Sequence, residues 1–151
     1  MFEPRTPFSA ERIRAAAIYC SDGRWGEQVD EFLHAGLSLP RYDRVAIPGG
    51  AACLAGHLAL WHQEAALVEH IEFLLDLHGL ARVVLIAHQE CALYTVRMRL
   101  TGDDCERQQR RDLEDAAHRL ERLHPALAVE TWFARRSGLR VRFEPICAAG
   151  A

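Results

Sequence analysis

The sequence predicts an α/β protein with a mostly parallel central β-sheet flanked by helices. Short apolar runs, typical of buried strands, alternate with longer segments in which apolar residues recur at helical spacing. Several of the runs end in glycine, proline or polar residues, as strands do at the edge of a sheet. This alternation favours helices on both faces of a parallel sheet, and we expect residues 1–151 to form a single domain.

The first half of the chain supplies two predicted strands and two predicted helical segments. Residues 13–19 are apolar and alanine-rich, as expected of a buried strand, and residues 26–35 follow as a helix that ends at Gly36. Residues 42–47 form the second strand, which a Pro-Gly-Gly turn closes. Residues 51–77 are predicted to be mostly helical because their apolar residues recur at helical spacing.

The second half continues the same alternation and then changes. Residues 81–87 contain Val-Val-Leu-Ile, the strongest strand signal in the chain. Residues 93–100 and 106–123 are predicted helices, the second with an apolar stripe along one face. Residues 128–133 and 139–143 are two strands around an Arg-Ser-Gly turn. We therefore expect a hairpin, with an antiparallel edge strand near the C-terminus.

Composition excludes several classes of function. The net charge of −3 gives no reason to expect a nucleic acid or an anionic membrane as a partner. No stretch approaches the ~20 apolar residues of a membrane span, and we expect a cytoplasmic location. Five scattered cysteines in a chain of this size are more typical of metal ligands or core residues than of disulfides.

Two cysteines and a histidine lie at the carboxyl ends of predicted strands. Cys20 follows the first strand, and His88 and Cys91 follow the strand of residues 81–87. Ligands of parallel sheets collect beyond the carboxyl ends of the strands, so we expect these side chains to share one site. A Cys₂His set leaves the fourth zinc position open, as in catalytic sites. The alternative is a strand-end histidine beside buried cysteines that bind no metal.

Asp22 and Arg24 lie in the loop directly after Cys20. One interpretation is local turn chemistry, in which the aspartate binds backbone amides and the arginine points outward. The other is functional, because a carboxylate next to a zinc thiolate can accept a hydrogen bond from the zinc-bound water. Arg24 would then keep that carboxylate ionised and oriented through a bidentate pair.

These motifs resemble those of the β-class carbonic anhydrases. The Cys20-x-Asp22-x-Arg24 and His88-x-x-Cys91 motifs occur in that order and on these elements, and the similarity covers nearly the whole chain. The resemblance implies that Cys20, His88 and Cys91 bind Zn²⁺. It makes Asp22 and Arg24 the dyad that orients the zinc-bound water, or lets Asp22 take the fourth zinc position in a closed state.

The function implied by the resemblance is reversible hydration of CO₂ to bicarbonate by zinc-bound hydroxide. It also implies a homodimer or a dimer of dimers. A proton must leave the site in each cycle, and three histidines are candidates to carry it, each with surface or packing roles as the simpler interpretation: His34, His57 and His62.

The chain departs from the family pattern around the site. Ala87 and Ala92 replace two usual glycines, and residues 47–51 keep only a glycine turn where the family has Arg-Asn-Ala-Gly-Asn. These changes leave three alternatives open: hydrolysis of another small electrophile such as COS or CS₂, a catalytically lapsed zinc-binding relative, or no metal at all. Six other residues receive structural interpretations, as core or surface thiols and as packing aromatics: Cys53, Cys105, Cys147, Trp25, Trp61 and Trp132.

Overall fold

A computed structural model describes residues 1–146 and contains one five-stranded sheet. The strands are β1 (Ala15–Cys20), β2 (Asp43–Ile47), β3 (Arg82–His88), β4 (Ala128–Ser137) and β5 (Arg140–Pro145). Their spatial order is β2-β1-β3-β4-β5. The four strands β2, β1, β3 and β4 pair in parallel, and β5 pairs with β4 antiparallel. This architecture confirms the predicted fold class, including the antiparallel edge strand near the C-terminus.

Three α-helices connect the strands. They are α1 (Gly26–Glu31), α2 (Trp61–His78) and α3 (Gly102–Leu123). The predicted helix of residues 26–35 is wider in its second half, where Phe32–Gly36 forms a π-helical turn. The segment predicted as residues 51–77 begins as two 3₁₀ turns, Gly50–Leu54 and Leu58–Leu60, before α2 starts. The segment predicted as residues 93–100 is a single π-helical turn, Leu93–Arg97.

The sheet separates two apolar cores. Side chains of adjacent strand residues point to opposite faces, so Ile18 and Leu85 enter one core while Ala17 and Val84 enter the other. The first core is completed by α2 and α3 and the second by α1 with the turn that follows it. Cys20 and Cys91 pack against the first core. Helices therefore cover both faces, as predicted.

Several packing predictions can be compared with the structure. Trp132 packs edge-on against Phe32, as expected, with ring centroids 4.9 Å apart. Trp61 was expected to pack against a helix or strand face, and this prediction is wrong: the residue is 57% exposed and its ring lies against His62. Trp61 is the first residue of α2, where the chain has just emerged from a 3₁₀ turn at the surface. Cys53 and Cys105 are buried, and Cys147 lies outside the described residues.

Within the described residues, none of the helices combines the length and apolar character that crossing a membrane would require.

Candidate metal centre

Three potential metal ligands converge where β1 and β3 end. Cys20, His88 and Cys91 each offer one donor atom, and the three atoms lie within 4.8 Å of one another. Parallel pairing of β1 with β3 brings the two strand ends side by side, which is why residues some 70 positions apart meet here. His88 and Cys91 are buried, and Cys20 is partly exposed. The structure thus brings together all three residues that the sequence singled out.

The His88 imidazole is oriented for coordination. Its Nδ1 donates a hydrogen bond to the main-chain oxygen of Gln89 at 2.9 Å. Because a carbonyl oxygen only accepts, this contact places the proton of a neutral ring on Nδ1 and leaves a lone pair on Nε2. Nε2 is buried and has no hydrogen-bond partner. The indole of Trp25 lies over the ring, with centroids 4.8 Å apart.

The two cysteines form a close pair. Cys20 Sγ and Cys91 Sγ are 3.7 Å apart, and the Gly49 N–H donates to Cys20 Sγ at 3.4 Å. Hydrogen bonding from Cys91 outweighs the opposing effect of burial and, helped by the neighbouring His88 ring and the Gly49 amide, holds the pKa of Cys20 well below its usual range. The same contact, together with burial, raises the pKa of Cys91. Two neighbouring thiolates repel each other, so full ionisation of the pair requires a cation between them.

Glycine is required at two positions beside Cys20. Gly49 and Gly50 have φ values of +80° and +55°, a region that side chains disfavour. A Cβ on Gly49 would meet the Leu93 side chain at 2.1 Å, and one on Gly50 would meet the Tyr19 backbone at 2.9 Å. The glycine turn therefore lets the chain after β2 pass close against the end of β1. This close approach presents the Gly49 N–H to the Cys20 sulfur.

Asp22 and Arg24 form the bidentate pair that their spacing suggested. Arg24 Nε lies 2.9 Å from Asp22 Oδ1, and Arg24 Nη2 lies 2.5 Å from Oδ2. The Arg24 main-chain N–H also donates to Asp22 Oδ1 at 3.1 Å. The guanidinium lowers the pKa of the Asp22 carboxyl to about 2, so the carboxylate is ionised at neutral pH. The motif therefore combines a local turn, in which Asp22 accepts from a main-chain N–H, with a guanidinium that fixes the orientation of the carboxylate.

The donor set fits a tetrahedral transition metal. Two sulfurs bound to zinc at about 2.3 Å in tetrahedral geometry are about 3.8 Å apart, close to the 3.7 Å between Cys20 and Cys91. The unpartnered Nε2 of His88 supplies the third donor. A buried nitrogen without a partner costs free energy unless something binds it, and a metal ion would do so. The residues present therefore fit zinc with one position left for a further ligand.

The structure also contains a buried polar network that the sequence analysis missed. Gln109 and Asp112 of α3 are each 1% exposed, and they lie on the same side of the helix as its apolar stripe. Gln109 Nε2 donates to the main-chain oxygen of His88 at 2.7 Å. Asp112 accepts hydrogen bonds from Tyr94 and from His57. The sequence did contain a sign of this network: Gln109 and Asp112 continue the apolar stripe toward the start of α3, at positions where apolar residues would be expected.

A cavity of about 490 Å³ lies between β2 and α2, next to the site. Ile47, Pro48 and Leu93, which lie near Gly49 and the Cys91 turn, are part of its lining. The three histidines proposed as proton carriers take different positions. His57 bonds to Asp112, His62 lies against Trp61, and His34 lies near Tyr42.

Together, the fold and the site define an α/β protein with a thiolate–imidazole donor set at the carboxyl ends of its strands. A family model described as "Putative carbonic anhydrase" matches residues 10–145. The chain belongs to the carbonic anhydrase family, and its fold is similar to that of β-carbonic anhydrases. This confirms the resemblance drawn from the sequence.

Solved structures support the same fold. A carbonic anhydrase from Glaciozyma antarctica matches with a TM-score of 0.58 at 16% identity, over 89% of this chain and 82% of that one. The β-carbonic anhydrase isoform I of Trichomonas vaginalis matches with a TM-score of 0.55 at 11% identity, over 93% and 87%. A β-carbonic anhydrase of Aspergillus fumigatus gives 0.55 at 15% identity, over 93% and 78%. A search of curated protein sequences gave no match.

Proposed function

We propose that this protein is a zinc-dependent carbonic anhydrase that interconverts CO₂ and bicarbonate. The observation that carries the proposal is the convergence of Cys20, His88 and Cys91, with the unpartnered Nε2 of His88 among the donors. Membership of the carbonic anhydrase family supports this substrate, and the match over residues 10–145 supports a single catalytic domain.

Each residue of the site has a defined task in this proposal. Cys20, His88 and Cys91 hold the metal, and the Gly49 N–H stabilises the charge on Cys20. Zinc, when bound, lowers the pKa of water to about 7 and so supplies a nucleophile near neutral pH.

Asp22 accepts a hydrogen bond from the reacting oxygen, which orients the lone pair of that oxygen toward CO₂. Arg24 fixes the direction of the Asp22 carboxylate through two hydrogen bonds and keeps it ionised. The Asp22 side chain is 17% exposed, so its carboxylate is not sealed in the core. In a closed state, Asp22 would leave Arg24 and occupy the fourth metal position.

The cavity beside the site has apolar and polar walls. Ile47, Pro48 and Leu93 form an apolar part that suits a small uncharged substrate, and Arg44 and Arg97 are among the polar side chains that complete the lining. These residues do not distinguish CO₂ from COS or CS₂ by charge. Comparative turnover of the three gases therefore decides between the main proposal and the alternative zinc hydrolase.

The test is stopped-flow CO₂ hydration by zinc-loaded protein at mildly alkaline pH. We expect turnover in the wild type and a loss of at least about 100-fold in Asp22→Asn, because the amide cannot accept the same hydrogen bond in the same charge state. Gln28→Glu, which alters a helix residue outside the donor set, is the matched control and should retain activity. Wild-type protein with stoichiometric zinc and no turnover of any of the gases would establish the lapsed relative instead.

We further propose a homodimer and a cytoplasmic location. Strand β2 lies at one edge of the sheet, and α2 beside it carries three large apolar side chains that are at least half exposed, Trp61, Phe73 and Leu77. A second copy covering them would remove this surface from water. Light scattering of the wild type and Phe73→Glu tests the dimer. The free thiols of Cys20, Cys53, Cys91 and Cys105 favour a reducing compartment.

A further inference from the structure

Helix α3 contacts the segment around His88 and Cys91 through two buried polar side chains. Gln109 is 1% exposed, and its Nε2 donates to the main-chain oxygen of His88 at 2.7 Å. This carbonyl belongs to the last residue of β3, where the chain leaves the sheet. Because a buried carbonyl needs a donor, Gln109 fixes the point at which the His88 backbone stops following the strand.

A second contact from the same helix reaches the other end of the segment. Asp112 is buried and accepts hydrogen bonds from Tyr94 Oη at 2.6 Å and from Gln108 Nε2 at 2.8 Å. The Tyr94 main-chain N–H in turn donates to the Cys91 carbonyl oxygen at 3.0 Å. Burial and the neighbouring Asp112 carboxylate raise the pKa of Tyr94, which keeps the phenol protonated as a donor. The position of Cys91 is thus linked to Asp112 through a single intervening residue.

The two contacts come from one rigid element. Gln109 and Asp112 are three residues apart on α3, so their side chains leave the same face of the helix one turn apart. One contacts the residue at the start of the His88–Cys91 segment, and the other contacts the turn at its end. Asp112 also bonds to His57 at 2.7 Å, which connects α3 to the segment leading into α2.

We propose that Gln109 and Asp112 are positioning residues of the metal centre. From helix α3, they set the separation between the donor atoms of His88 and Cys91. The inference rests on the proposed metal site and deepens it. Neither side chain is proposed to touch the metal or the substrate. Their effect is to pre-organise two of the three donors, so that binding does not require the segment to be ordered first.

Cobalt(II) provides a direct probe, because its visible spectrum reports the geometry of a thiolate–imidazole site independently of catalysis. We would titrate the full chain with Co²⁺ and measure the ligand-field bands, the thiolate charge-transfer band and the dissociation constant. Gln109→Met keeps the volume of the side chain but removes the hydrogen bond to His88. Tyr94→Phe leaves the main-chain contact with Cys91 in place and removes only the hydroxyl that bonds to Asp112.

We expect Gln109→Met to weaken Co²⁺ binding by about 10-fold or more, with shifted ligand-field bands, as for other residues that orient metal ligands. Tyr94→Phe should act in the same direction with a smaller change. Leu120→Ala is the control, since it removes a buried apolar side chain from α3 about three turns away from Gln109. It should lower the melting temperature and leave the cobalt spectrum unchanged.

The outcomes separate this inference from the proposed function. Wild-type spectra and affinities in both Gln109→Met and Tyr94→Phe would overturn the positioning role while leaving the metal centre intact. An equal spectral change in Leu120→Ala would show that general loosening of α3 is the cause, and would overturn the role as well. Wild-type protein that binds no Co²⁺ would overturn the metal centre, and this inference with it.

Discussion

The indole of Trp25 lies against the imidazole of His88, with ring centroids 4.8 Å apart and planes inclined by 36°. Trp25 directly follows the Asp22–Arg24 pair and precedes α1, so this contact connects the loop after β1 to the end of β3. The imidazole is therefore restrained twice, by the Gln89 carbonyl at Nδ1 and by the indole on its face. The ring needs little reorganisation before it can bind a metal.

Replacement of Trp25 tests this restraint. We expect Trp25→Ala to lower the free energy of unfolding by about 0.5–1.5 kcal/mol beyond the loss of buried area, because the aromatic contact with His88 disappears. Metal affinity should fall as well, since the ring gains freedom. Urea unfolding and zinc competition titrations measure both effects, with Trp25→Phe as the control that retains an aromatic ring. Unchanged affinity in Trp25→Ala would show that the Gln89 contact alone orients the imidazole.

Substitution at Gly50 should cost free energy in two ways, through its positive φ and through overlap with neighbouring atoms. Gly56, which lies outside the turn, allows the first cost to be measured alone. Gly56→Ala introduces a side chain at φ +79° in open space, so it should cost only the positive-φ penalty of about 1–2 kcal/mol. Gly50→Ala has the same kind of penalty plus overlap with the Tyr19 backbone at 2.9 Å. We expect it to be more destabilising by a further ~1–3 kcal/mol, measured by chemical denaturation. Equal losses in the two variants would contradict the close approach at Gly50.

Metal loading should stabilise the folded chain through the proposed ligands. At a free zinc concentration about 100 times the dissociation constant, the expected gain is about 2.7 kcal/mol. Cys20→Ser should abolish most of this gain, and removal of zinc by a chelator should reverse it in the wild type. Cys53→Ala is the control, because that thiol is buried outside the donor cluster. Thermal unfolding with and without zinc checks the prediction, and equal gains in the wild type and Cys20→Ser would refute the ligand set.

Glu106 provides a prediction about pH. Burial raises the pKa of this carboxyl, but hydrogen bonds from Arg135 at 2.5 Å and Arg110 at 2.9 Å outweigh it and leave the pKa below its usual range. A carboxyl whose pKa is lower in the folded state stabilises the fold above its unfolded pKa of about 4.3, and this contribution is lost as the pH falls through the folded value.

Glu106→Gln should therefore lower the free energy of unfolding at pH 7 by an amount of order 1 kcal/mol. The difference from wild type should begin to shrink below about pH 4, where the unfolded carboxyl is protonated, and disappear as the pH falls through the lower folded pKa. Urea unfolding over the acid range measures it, beside Asp115→Asn at an exposed position of the same helix. A difference that persists undiminished at low pH would assign the effect to packing.

The donor set and its carboxylate pair could be predicted from the sequence because each depends on local rules. Strands end where apolar runs end, parallel strands align their carboxyl ends, and Asp22 and Arg24 are close enough in sequence to pair in one turn. The same rules located β5, since a short polar turn between two apolar runs favours a hairpin.

The contacts from α3 could not be predicted in this way. Whether Gln109 contacts His88 depends on the position of α3 along the sheet. That position is set by the packing of the whole helix against the first core. The helical pattern of residues 51–77 correctly predicted a mostly helical segment, but not the two 3₁₀ turns that precede α2. Apolar residues at helical spacing do not distinguish 3₁₀ turns from α-helix, and the exposed position of Trp61 follows from where that change occurs.

The proposed ligands come from opposite faces of the sheet. Cys20 and Cys91 pack with the core beneath α2 and α3, whereas His88 alternates with Leu85 and Ala87 and meets Trp25 on the α1 side. An ion bound to all three would act as a cross-link between the two apolar layers, which lie on opposite faces of the sheet. Zinc would then make the layers open as one cooperative unit, and amide exchange in α1 and α3 would slow together when the metal is added.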